Sequence, residues 1–137
     1  MQKTSILVLD DCEDLLGLTV CFIEKLCGCT AVTARSLADV QRQFETVLTC
    51  ELAILDINLD EGQPNGIDVY NWMRANRFQA RIVFLTGHAR TYPLVTEAER
   101  LGDVKIFSKP LPASTLIKIV QNEPVEPARN PILIAEK

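Results

Sequence analysis

Four consecutive apolar residues, Leu52, Ala53, Ile54 and Leu55, run directly into a carboxylate, Asp56. An apolar run so short and so unbroken predicts a buried strand. A strand buried on both faces needs helices above and below it, which points to a layered α/β architecture. An acid just past such a strand stands at its C-terminal edge, where open α/β sheets place their chemistry. The rest of the chain must build a sheet around this strand or carry other charged groups towards Asp56.

Four further runs supply that sheet. Ser5–Leu9 reads as a first strand and ends in Asp10-Asp11. Asp11, Glu13 and Asp14 lead into a helix whose N-terminal dipole favours acids. Leu15, Leu18, Phe22 and Leu26 recur at helical spacing as its expected buried face, and Gly28 suits its C-cap. Thr30–Ala34 alternates and is β-branched, which predicts strand two. Ser36 with Asp39 resembles a capping box, opening a helix with Leu37, Val40, Phe44 and Val47 on one face. After the central strand, residues 59–66 are a loop by composition. Residues 67–74 follow as a short helix with Val69, Tyr70 and Met73 inward. Residues 81–85 form strand four and end at Thr86-Gly87. Pro93 fits the first turn of a fourth helix that ends at Leu101-Gly102. Residues 104–107 form strand five, followed by Ser108-Lys109-Pro110, and residues 112–121 form the last helix around Leu116, Ile119 and Val120. Five strands alternating with five helices predict right-handed βαβ units and a parallel sheet covered on both faces.

A chain of 137 residues with this pattern is one domain. Its expected span is residues 1–122. Residues 123–137, with Pro124, Pro127 and Pro131, read as a tail and not as an output domain. A net charge of −4 argues against a general electrostatic grip on nucleic acid or on an anionic membrane. No apolar run reaches membrane-span length, and residues 1–20 lack the pattern of a secretory signal, so the expected location is cytoplasmic. Five cysteines, an odd count, do not suggest a disulfide framework. Cys27-Gly28-Cys29 is the one close pair and has no histidine near it, so small buried or half-buried thiols are expected.

The polar residues at the strand ends carry the chemistry. In a parallel sheet Asp10, Asp11, Asp56, Thr86 and Lys109 all fall on one edge. Three carboxylates together stay ionised only with positive charge among them. A hard divalent cation with oxygen ligands, Mg²⁺ by preference or Mn²⁺, meets that need, and Lys109 adds a fixed charge. Such a site suits a phosphoryl group, whose transfer is mostly positioning and charge neutralisation. Asp56 would be the nucleophile, giving an aspartyl phosphate, with Thr86 donating to a phosphoryl oxygen and the small Gly87 leaving room.

Asp10-Asp11, Asp56, Thr86-Gly87 and Lys109-Pro110, in this order at the ends of successive strands, resemble the receiver domain of two-component response regulators. The likeness covers roughly residues 4–121. It implies a flavodoxin-like five-stranded parallel sheet in the order 2-1-3-4-5 with helices on both faces. It also implies a single-domain, chemotaxis-regulator-like receiver that signals through protein contacts and does not turn over an external substrate. Asp56 would be the phosphoacceptor. Asp11, Asp56 and the backbone carbonyl of Asn58 would bind Mg²⁺, with Asp10 acting mostly through water. Thr86 and Lys109 would hold phosphoryl oxygens, and the Lys109–Pro110 bond would be cis. The expected donor is a sensor histidine kinase or a histidine phosphotransfer protein. The expected downstream contact is the face of the fourth helix, strand five and the last helix, around Tyr92, Ile106 and Lys118.

Two positions depart from the usual form of that family. The place three before the lysine, often aromatic, is Ile106; Phe107, one residue later, falls on the other face of a strand. Asp60 stands where a proline is frequent, in a longer loop. His88 lies two after Thr86, where it and Asn58 would tune the lifetime of the aspartyl phosphate. Other readings are a phosphorelay intermediate, a receiver-like scaffold that is never phosphorylated, and a metal-dependent aspartyl phosphatase. The last needs a second acid two residues after the nucleophile, and Asn58 cannot serve.

Overall fold

The sheet has five parallel strands in the order β2-β1-β3-β4-β5. The strands are β1 (Ser5–Leu9), β2 (Thr30–Ala34), β3 (Leu52–Asp56), β4 (Arg81–Thr86) and β5 (Lys105–Ser108). In this computed structural model the described residues are 4–59, 62–87 and 92–122. Asp60, His88 and the proposed tail at 123–137 lie outside them. Among the described residues, α1 (Glu13–Lys25), α2 (Leu37–Arg42), α3 (Phe44–Val47), α4 (Gly66–Ala75) and α5 (Pro93–Glu99) connect the strands, and α6 (Ala113–Val120) follows β5. No helix among the described residues is long and apolar enough to cross a membrane.

Side-chain alternation divides the core in two. Leu7, Leu9, Ala53, Leu55, Ile82 and Phe84 point to one face, where Val40, Val47, Ile67, Met73 and Val95 of α2–α5 cover them. Ile6, Val8, Leu52, Ile54, Val83, Leu85 and Phe107 point to the other, under Leu16 and Ile23 of α1 and Leu116 and Ile119 of α6. Every residue of β3 is buried, as its unbroken apolar run required. The five-strand α/β reading and the strand order hold.

Four local expectations are corrected. The second helix is two helices, because Gln43 leaves helical geometry at φ −119° and ψ 28°. Its side-chain amide instead donates to the Thr33 carbonyl at 2.6 Å, anchoring the break to β2. In α1 the buried positions are Leu16 and Ile23, whereas Leu18 and Leu26 are 47% and 53% exposed. The fifth strand begins and ends one residue later than expected. Cys12 and Cys21 are exposed, while Cys29 and Cys50 are buried and Cys27 is half-buried. Burial raises the Cys27 and Cys50 thiols, the latter to about 11, which keeps them protonated and unreactive.

The caps show why the elements start where they do. Ser36 Oγ accepts from the Asp39 N–H at 3.2 Å, but the Asp39 carboxylate reaches back to the Arg35 N–H, so the expected capping box closes one residue early. Asn65 and Asp68 form a complete box at the start of α4. Gly28, at φ +67°, lets the Cys29 N–H turn back to the Ile23 carbonyl at 3.1 Å. Gly17 is different: it sits exposed inside α1, and an added Cβ would meet nothing within 4 Å. Gly17→Ala is therefore expected to stabilise the fold by about 0.5–1 kcal/mol, read as a higher urea midpoint with unchanged slope.

Candidate phosphoryl and metal site

The parity that splits the core also aims the polar residues. Asp10 continues the Ile6–Val8 column of β1, Asp56 the Leu52–Ile54 column of β3, and Lys109 follows Phe107 by two. All three leave the sheet edge on the side covered by α1 and α6. Thr86 continues the Ile82–Phe84 column and belongs to the opposite face. Ladder bonds extend past the strands and fix these residues. The Asp10 N–H donates to the Ala34 carbonyl at 3.1 Å, the Ile57 N–H to Leu85 at 2.9 Å, and the Lys109 N–H to Thr86 at 2.9 Å. The Lys109–Pro110 bond is cis.

Asp10, Asp11 and Asp56 each present one carboxylate oxygen, and these oxygens lie within 4.8 Å of one another. Asp10 and Asp56 are buried, at 3% and 1% exposure, and Asp11 is half-buried. Lys109 Nζ stands 2.8 Å from Asp56 Oδ2 and 3.3 Å from Asp10 Oδ2. Asp56 Oδ1 accepts from the Asn58 N–H at 3.1 Å, and Asp10 Oδ1 from the Cys12 N–H at 2.9 Å. The Lys109 ammonium is thus the charge-assisted partner of the buried Asp56 Oδ2. Thr86 is buried and its Oγ1 donates to Asn58 Oδ1 at 3.2 Å.

The electrostatics follow from burial. Desolvation pushes the Asp56 pKa up to about 6; Lys109 and the Asn58 N–H pull it down, and Asp10 pushes it up. Burial works to lower the Lys109 pKa, but Asp56 and Asp10 outweigh it and hold the ammonium above its ordinary value. Three carboxylates thus face one ammonium, with an excess of negative charge. That donor set fits a hard, oxygen-seeking divalent cation. A cation there would supply charge for the oxygens of a bound phosphoryl group.

The structure brings together Asp10, Asp11, Asp56, Asn58, Thr86 and Lys109. Gly87 is exposed, and a Cβ there would meet nothing within 4 Å, so space beside Thr86 does not depend on its being glycine. Ile106 pairs with Phe84, is half-buried, and packs on the core face opposite Phe107, as alternation required. Sequence reasoning missed Gly66. Its N–H donates to the Ile57 carbonyl at 2.9 Å, and its Cα lies so close to the Asp56 peptide that a Cβ would strike it. The only sequence signal was the pair Asn65-Gly66 at a helix start.

The family model described as "Response regulator receiver domain" matches residues 6–121. The photosynthetic apparatus regulatory protein RegA of Cereibacter sphaeroides is 33% identical over 110 residues, which cover 80% of this chain and 57% of that protein. The acid tolerance regulatory protein ActR of Rhizobium meliloti is 31% identical over 83 residues, covering 58% of this chain and 41% of that protein. The chain thus spans about half the length of the curated relatives it matches. Among solved structures, the receiver domain of NtrX from Brucella abortus superposes with a TM-score of 0.74 at 23% identity, covering 85% of this chain and 95% of that one. The chemotaxis protein CheY4 of Vibrio cholerae gives 0.73 at 17% identity, covering 88% and 98%. These two likenesses are likenesses of fold.

Proposed function

The chain belongs to the response regulator receiver domain family, and on that premise we propose that Asp56 is its phosphoacceptor, with Mg²⁺ held beside it. Receiver domains are two-component signalling modules that take phosphoryl groups from histidine kinases or phosphotransfer proteins and bind Mg²⁺ at an acidic pocket. The observation that carries the reading is Asp56 itself. Its carboxylate is buried, its Oδ2 lies 2.8 Å from the Lys109 ammonium, and it clusters with the carboxylates of Asp10 and Asp11.

In this reading Asp11, Asp56 and the Asn58 carbonyl hold the cation, and Asp10 acts through water. An Asp56 oxygen attacks phosphorus in line with the leaving nitrogen of a phosphohistidine. The O–P bond forms as the P–N bond breaks, and the electron pair goes to the imidazole. Lys109 neutralises one phosphoryl oxygen. Thr86 donates to another, and to do so it releases Asn58 Oδ1. The phosphatase alternative is disfavoured by Asn58, an amide whose N–H protons are too weakly acidic to be given to a leaving group. The scaffold alternative is disfavoured because the full polar set is present and converges.

The output surface we assign is α5, β5 and α6, where Tyr92, Lys105 and Lys118 are exposed. Ile106 lies within that surface, away from the carboxylates. Ile106→Ala is expected to leave phosphoryl labelling near the wild-type level; loss of labelling would place Ile106 in the reactive site instead. The function itself is tested by incubating the protein with Mg²⁺ and acetyl phosphate and weighing it. A gain of one phosphoryl group in wild type, absent without Mg²⁺ and absent in Asp56→Asn, is expected. No gain, or an equal gain in Asp56→Asn, refutes the assignment.

A further inference from the structure

An open cleft of about 520 Å³ lies against the outer side of the carboxylate cluster, lined in part by Asp11, Arg35 and Asp39. Arg35 directly follows β2, outside the set that the site reading uses. Its guanidinium Nη2 donates to the backbone carbonyl of Asp11 at 3.2 Å. Arg35 is itself held at its root. Its N–H donates to Asp39 Oδ2 at 2.9 Å, and Asp39 is fixed by the Ser36 cap and by Arg42. A chain of contacts therefore runs from the start of α2, through Arg35, to the peptide that presents the Asp11 side chain.

We propose that Arg35 is a positioning residue for the metal site: it pins the Asp11 peptide so that the carboxylate is presented to the cation. This rests on the reading of Asp11 as a metal ligand. Two physical effects of Arg35 on that site have opposite signs, which makes the proposal decidable. As a bare charge, a cation held at the Asp11 carbonyl repels a divalent ion bound nearby, so removing it tightens binding. As a clamp, it limits the motion of a ligand, so removing it weakens binding. Lysine keeps the charge but lacks the planar fork that reaches a carbonyl from this position.

The test is Mg²⁺ affinity by titration calorimetry on the full chain, without phosphodonor, for wild type, Arg35→Ala and Arg35→Lys. Alanine is expected to weaken Mg²⁺ binding about tenfold, the low end for residues that orient a metal ligand from outside, and lysine is expected to recover less than half of the loss on a logarithmic scale. The metal-free unfolding midpoint is expected to stay at the wild-type value in both, which a general structural role would not allow. Equal or tighter binding in Arg35→Ala, or weaker binding accompanied by a lower metal-free midpoint, overturns the proposal. If Asp11→Asn binds Mg²⁺ as wild type does, the reading of Asp11 fails and the proposal falls with it. A normal loss in Asp11→Asn with no loss in Arg35→Ala overturns the clamp alone.

Discussion

Gly66→Ala is expected to lower stability by about 3 kcal/mol, the upper range for forcing a methyl group into packed structure. The added Cβ would fall inside contact distance of the Asp56 carbonyl oxygen and stand 2.8 Å from Ile57 Cα. Both neighbours are backbone, and both belong to the central strand or its first residue beyond. No side chain can turn away to make room. The strand end and α4 must separate, and Asp56 moves with the strand end. Phosphoryl labelling should therefore fall in the fraction that remains folded, and the urea midpoint should drop. Gly87→Ala is the control, since its Cβ enters open space. A Gly66→Ala protein with wild-type midpoint and labelling would show that the close approach is absent.

The second large effect is expected from Asp56→Asn. Burial raises the Asp56 pKa to about 6 from an ordinary 3.8. Between those values the folded state binds more proton than the unfolded chain, so stability falls as pH rises through the interval. The contribution is full below about pH 4 and lost above about pH 6, on the order of 3 kcal/mol. Without metal, wild type should therefore lose stability from pH 4 to 6 relative to Asp56→Asn, and the variant should be the more stable at pH 7. Added Mg²⁺ should stabilise wild type at pH 7 and leave the variant nearly unmoved, because a ligand stabilises only the fold that binds it. Thermal unfolding across pH, with and without Mg²⁺, reads both effects. A metal-free Asp56→Asn protein less stable than wild type at pH 7 would mean that ionised Asp56 is a net stabilising partner of Lys109.

The sheet was legible because its strands are short apolar runs with polar ends, and burial on both faces leaves no other pattern for residues 52–55. The meeting of Asp10, Asp56 and Lys109 followed from the strand ends, and side-chain parity explains why they share one face while Thr86 approaches from the other. Helix faces were harder. The first helix carries Leu15, Leu16, Leu18, Val20, Phe22, Ile23 and Leu26, so two apolar stripes compete, and only docking on β1 and β2 selects Leu16 and Ile23. The break at Gln43 kept Val40 and Val47 on the core side and left the periodicity unmarked. Its cause is a tertiary bond to Thr33 that no local pattern records. Gly66 was invisible for the same reason: its role depends on a strand end ten residues earlier in the chain.

The central claim is that Asp56 is the nucleophile, and the bond it forms can be mapped. Protein phosphorylated from acetyl phosphate with Mg²⁺ is treated with borohydride, which reduces an aspartyl phosphate to homoserine, and its peptides are sequenced by mass spectrometry. Homoserine at position 56, and at no other aspartate, is the predicted result. Homoserine at Asp10 or Asp11, or a phosphoryl adduct that yields none at position 56, would contradict the account.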